Sequence, residues 1–154
     1  MSTVNTDRIE KQVVLKAAPK RVWRALTDAQ EFGAWFGVKL AGRFAPGARM
    51  SGPVTHPGYE HIIMHITIEK MEPERVFSWR WHPHAIEPQR DYSAEPTTLV
   101  VFELQATPGG TLLKVTESGF DGIPAARRSQ AYRGNEGGWE MQMQQIATHL
   151  AAAA

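Results

Sequence analysis

The last thirty residues limit the fold of this chain more than any other stretch. Between residues 124 and 154 the apolar side chains Tyr132, Trp139, Met143, Ile146 and Leu150 recur at intervals of seven, four, three and four. That spacing places them on one stripe of a 3.6-residue helix. A helix of about 26 residues is ~39 Å long, enough to cross a whole sheet. Its middle is unusual, because Asn135-Glu136-Gly137-Gly138-Trp139 sets two glycines in the interior. Each costs about 0.8–1 kcal/mol there relative to alanine. Such a pair is expected where something approaches the backbone closely or where room is needed beside it. Asn135 lies one turn before Trp139, so an amide stands on the stripe that otherwise faces the core. A polar group in that position is either paired or lines a cavity, and a pocket is expected there.

The remainder of the chain alternates. Residues 8–16 place Ile9, Val13 and Leu15 on one face and Glu10, Gln12 and Lys16 on the other, the pattern of a half-buried strand. Pro19 suits a first helical turn, with Val22, Trp23, Ala25 and Leu26 as the apolar side. Asp28 and Glu31 have capping-box spacing and start a second short helix carrying Phe32, Trp35 and Phe36. Residues 37–54 read as a hairpin broken at Ala45-Pro46-Gly47-Ala48. Residues 61–71 form a strand with Ile62, Met64, Ile66 and Ile68 inward and His61 and His65 outward. Residues 75–82 follow with Phe77, Trp79 and Trp81 on one face. A polar connection with three prolines spans 83–96, a length that often belongs to functional or mobile loops. Residues 97–105 and 111–118 flank the turn signal Pro108-Gly109-Gly110, and Leu113, Val115 and Glu117 share the inward face. The expected fold is α+β: a strand, two short helices, about six more antiparallel strands, and a long helix gripped by the sheet.

At 154 residues the chain is expected to be a single domain over 8–154, with 1–7 a flexible polar N-terminus. A net charge of +1 and a pI near 8.1 give no basic face for a nucleic-acid partner. The absence of cysteine excludes disulfides and thiolate chemistry and fits a reducing compartment. No signal-peptide run precedes the first strand and no stretch approaches the ~20 apolar residues of a membrane span, so a cytoplasmic location is expected.

Several pieces of this pattern occur together in one known family. Val22-Trp23-Arg24-Ala25-Leu26-Thr27-Asp28, Trp35, Arg75-Val76-Phe77-Ser78-Trp79, Glu117-Ser118-Gly119-Phe120 and Gly138-Trp139 resemble the bacterial Hsp90-ATPase-activator-like proteins. These lie within the START/Bet v 1-like helix-grip superfamily. Arg80-Trp81-His82-Pro83, with Asp91-Tyr92-Ser93 and Glu95-Pro96-Thr97-Thr98 after it, resembles one of the subgroups. The resemblance implies a seven-stranded antiparallel sheet wrapped around the C-terminal helix, the two short helices closing one end. It also implies a cavity between sheet and helix, used in the superfamily for lipids, hormones or polyketides. The family takes its name from a eukaryotic co-chaperone in which this fold is the C-terminal half, so a chaperone partner or a homodimer is a further expectation. That co-chaperone's N-terminal activating motif has no counterpart in these residues.

The candidate ligand-binding residues are Trp79, Trp81, Glu117, Phe120, Tyr132, Asn135 and Trp139. The aromatic members either line an apolar site or fill the core, and buried indole N–H groups need partners, for which Asn135 and Glu117 are at hand. Glu117 is the weak catalytic candidate, as a pocket acid or base. Its alternatives are orienting a ligand or pairing with Arg43, Arg80 or Arg133. His82, His84, Asp91 and Glu95 lack the spacing of a zinc site and are expected to tie the long loop together. No metal or cofactor is expected. Three readings follow: a small apolar or amphipathic ligand held between sheet and helix, a polyketide cyclase or dehydratase using the same cavity, and a protein-interaction module presenting Phe32, Trp35 and Phe36.

Overall fold

The computed structural model describes residues 7–152 apart from residue 88. The N-terminal stretch expected to be flexible lies outside the described residues except for Asp7, whose carbonyl accepts from the backbone N–H groups of Gly119 and Phe120. Strand β1, Arg8–Leu15, is followed by helix α1, Pro19–Thr27, and helix α2, Ala29–Phe36. Five strands come next: β2 Arg49–Pro53, β3 Ile63–Glu72, β4 Val76–Trp81, β5 Thr98–Thr107 and β6 Gly110–Ser118. A single 3-10 turn, Phe120–Gly122, leads into helix α3, Ala125–Ala152.

The strands form one antiparallel sheet in the order β1-β6-β5-β4-β3-β2. Six strands are present among the described residues, where seven were expected. The missing one is the first arm of the hairpin read at residues 37–54. That arm keeps only a bridge between Val38 and Val54, with backbone bonds from Lys39 to Pro53 and from Ala41 to Ser51. The reason lies at Gly52, where a β-carbon would stand 1.8 Å from the Lys39 carbonyl oxygen. The arm folds over the face of β2 there, a crossing only glycine permits.

Alternation sets the sheet's inner face. Ile9, Leu15, Met64, Ile66, Ile68, Phe77, Trp79, Val100, Phe102, Leu113 and Val115 are all buried, while His61 and His65 are exposed. Asp28 caps α2 by accepting from the Glu31 N–H at 2.9 Å. The Glu31 carboxylate does not return the bond. It turns instead to Arg21, Arg24 and His149, which ties both short helices to the end of α3. The stripe on α3 is buried at Ala131, Trp139, Gln142, Met143, Ile146 and Leu150. Phe32, Phe44, Phe77, Trp79 and Phe102 fill the space between sheet and helices, with neighbouring ring centroids 5.2–6.1 Å apart. The middle of the interior is therefore packed with rings.

Candidate functional site

One carboxylate organises the end of that interior. Glu117 follows Leu113 and Val115 at every second position of β6, so the pleat turns it inward. Register places it level with Val100 and Trp79 on one side and Ile9 on the other. Trp81 and Thr98 pair in the next row towards the sheet end, on the same face. Asn135 and Trp139, one turn apart on α3, come down on Glu117 from above. The residue is 0% exposed.

Its two oxygens accept from four side chains. Trp139 Nε1 donates to Oε1 at 2.8 Å and Trp81 Nε1 to Oε2 at 2.8 Å. Thr98 Oγ1 donates to Oε2 at 2.5 Å. Asn135 Nδ2 reaches Oε1 at 2.9 Å and Oε2 at 3.2 Å. Indole and amide N–H groups only donate, so the carboxylate fixes which way the Asn135 amide faces. Four donors match the roughly four lone-pair sites of a carboxylate. Among the described residues no cation pairs with Glu117. Arg80, one of the expected partners, bonds Glu69 instead at 2.8 Å, and Arg43 and Arg133 are exposed.

A pocket of about 70 Å³ lies against this hub, walled by Phe36, Trp81, Asn135, Gly138, Trp139 and Gln142. The Phe36, Trp81 and Trp139 rings meet with centroids 5.9–6.5 Å apart. Gln142 donates from Nε2 to the Phe36 carbonyl at 2.9 Å, while its Oε1 is buried with no partner among the described residues. Nothing lies within 4 Å of where a β-carbon would stand on Gly137 or Gly138, and Gly138 opens onto the pocket. The close approach expected at that pair occurs instead at Gly134, where a β-carbon would meet the His84 ring at 2.8 Å.

The structure brings Trp81, Glu117, Asn135 and Trp139 together. Trp79 stands behind them in the core, its ring 5.6 Å from Trp81 and its indole N–H without a partner among the described residues. Phe120 and Tyr132 stack edge to face at 5.3 Å, and Tyr132 donates to the Arg8 carbonyl. Neither lines the pocket. Thr98, Phe36 and Gln142 complete the site and were not singled out for it from sequence. Gln142 had a legible signal, since 135, 139 and 142 share one helix face. Phe36 and Thr98 reach the site only through tertiary packing. Phe32 and Trp35 are buried and Phe36 is half-buried, so no exposed apolar patch forms there.

The 83–96 connection stands beside α3 without contributing to the pocket wall. Arg127, 7% exposed, holds it through an ion pair to Glu95 and bonds to the Pro83 and His84 carbonyls. Arg127 also stacks over the Tyr92 ring, and His82 Nε2 lies 3.0 Å from the Glu95 carbonyl. The hydrogen bond and charge of Arg127 hold the Glu95 carboxyl below its ordinary range. Among the described residues no three acidic or imidazole groups converge as a metal site would need. A shallow groove of about 640 Å³ runs along α3 beside His84, Gln130 and Arg133.

No helix of the described residues is long and apolar enough to cross a membrane. No curated protein matches the sequence. Solved structures match the fold throughout. A Nitrosomonas europaea protein, NE0264, is 20% identical with a TM-score of 0.76, covering 98% of each chain. MLL2253 of Mesorhizobium loti is 23% identical with a TM-score of 0.75, covering 96% of this chain and 98% of that one. The Aha1 dimer of Colwellia psychrerythraea, solved in solution, is 17% identical with a TM-score of 0.67, covering 93% and 95%. The model of the activator of Hsp90 ATPase homolog 1-like proteins matches residues 16–151, and the chain belongs to that family.

Proposed function

We propose that the chain binds a small amphipathic molecule by admitting one end of it to the pocket beside Glu117. The observation that carries this reading is the junction of a half-open aromatic wall with a fully hydrogen-bonded, buried carboxylate hub. A buried charge held by four side chains is costly to build without a role, and it fixes the orientation of Trp81, Asn135 and Trp139 at the wall. At about 70 Å³ the pocket is well below the ~300–1,000 Å³ of sites that enclose a drug-sized ligand. It takes a head group, with the ligand body lying along α3 or outside. A cyclase-like reaction with Glu117 as general base is less well supported, because its lone pairs are already engaged and none points free into the pocket.

Native mass spectrometry of protein purified under mild conditions, followed by extraction, tests this. A co-purifying amphipathic molecule is expected from the wild type and absent from Gly138→Leu, whose side chain fills the pocket. Equal occupancy in the two proteins contradicts the assignment.

A further inference from the structure

We infer that the group this pocket admits is a positively charged amine, a primary or methylated ammonium at the end of an amphipathic molecule. The inference rests on the binding reading above and adds the chemistry of the head group. Hydrogen-bond accounting leads to it. Both indole N–H groups at the wall are committed to Glu117, as is the Asn135 amide nitrogen. The Gln142 amide nitrogen gives one of its two N–H groups to the Phe36 carbonyl. The side-chain atoms around the pocket with no partner at all among the described residues are both acceptors: Gln142 Oε1, which is buried, and the Asn135 amide oxygen. Gln142 is 8% exposed, so a ligand donor that reaches its oxygen satisfies an acceptor that otherwise stays orphaned.

Charge points the same way. The Glu117 carboxylate sits directly behind the wall, held by neutral donors and by no cation among the described residues. Buried charges are ordinarily paired, and an ammonium in the pocket supplies the missing countercharge across the Asn135 amide. The walls themselves, Phe36, Trp81 and Trp139, are the side-chain type that attracts cations over their faces. An anionic head group leaves both open acceptors unsatisfied and faces the like charge of Glu117. A neutral alcohol satisfies Gln142 but leaves the carboxylate uncompensated. Space for a few non-hydrogen atoms suits a methylammonium-sized group.

The test holds the tail constant and changes the head. Hexylammonium, hexanol and hexanoate are each titrated into ¹⁵N-labelled protein while the indole N–H resonances of Trp81 and Trp139 are followed. Hexylammonium is expected to shift both resonances and to bind about tenfold tighter than hexanol, with hexanoate failing to saturate. In Glu117→Gln the preference for ammonium over alcohol is expected to fall to about one, and the wild-type series decides the matter even where that variant does not fold. Hexanol or hexanoate binding as tightly as hexylammonium overturns the cation assignment and leaves the pocket reading standing. An ammonium preference that survives in folded Glu117→Gln overturns the role given to the carboxylate. If none of the three probes moves either resonance, the inference and the pocket reading fall together.

Discussion

Four donors converge on Glu117 from β4, β5 and α3, so the consequences of altering it are set by what those donors face afterwards. Glu117→Gln keeps the shape but turns one accepting oxygen into an N–H₂, leaving at least one indole or amide N–H opposed by another donor. A buried donor without an acceptor costs about 1–3 kcal/mol, and urea unfolding of Glu117→Gln is expected to show a loss of at least that size. Trp139→Phe removes a single donor and is expected to cost less in the Glu117→Gln background than in the wild type, since contacting residues are not additive. Equal costs in the two backgrounds contradict a shared hub. The inward placement of Glu117 was legible from its alternation with Leu113 and Val115, and Asn135 from its seat on the helix stripe. Glu117 was also at hand as a partner for the indole N–H groups, but the convergence of all four donors on it was not legible. It depends on the register that sets Trp81 beside Thr98 and on how α3 crosses the sheet, and neither is encoded at short range.

The elements around the site divide its glycines into two kinds. Gly137 is exposed with open space where a β-carbon would go, so Gly137→Ala is expected to raise stability by about 0.5–1 kcal/mol through helix propensity alone. Gly134→Ala meets the His84 ring at 2.8 Å and is expected instead to loosen the 83–96 connection, read as faster amide exchange there. Sequence spacing marked the glycine pair as the close approach, because a helix interior says nothing about which loop will lie against it. His84 carries a second consequence. Its backbone is left-handed, with φ 52°, and burial together with the Arg127 charge holds its imidazole below the ordinary value of 6.5. The folded state thus resists a proton that the unfolded chain takes up. The stability involved is complete above the ordinary value, declines as pH falls below it, and stops declining beneath the lowered folded value. Denaturant midpoints between about pH 7.5 and 5.5 are expected to fall less steeply in His84→Asn, a residue that tolerates the left-handed backbone. Parallel slopes contradict this role for His84.

At the scale of the whole molecule, alternation and one long stripe were enough to give the architecture, since both report burial directly. The missing seventh strand shows where that reasoning stops: residues 37–54 have strand-like composition, but a carbonyl laid over Gly52 takes one arm out of the sheet. The interior behaves similarly. The family resemblance implied a cavity between sheet and helix, with the aromatic side chains either lining it or filling the core; the rings fill most of that space themselves, leaving a small pocket at one end. Two concave features therefore compete as the place where this molecule meets a ligand, the pocket at Glu117 and the larger groove beside His84 and Arg133. Chemical-shift mapping with a set of small amphipathic fragments separates them in one experiment. Shifts are expected at the Trp81 and Trp139 indoles and at the Asn135 and Gln142 side-chain amides. Shifts confined to His84, Gln130 and Arg133, with those four groups unmoved, contradict the assignment of the pocket as the functional site.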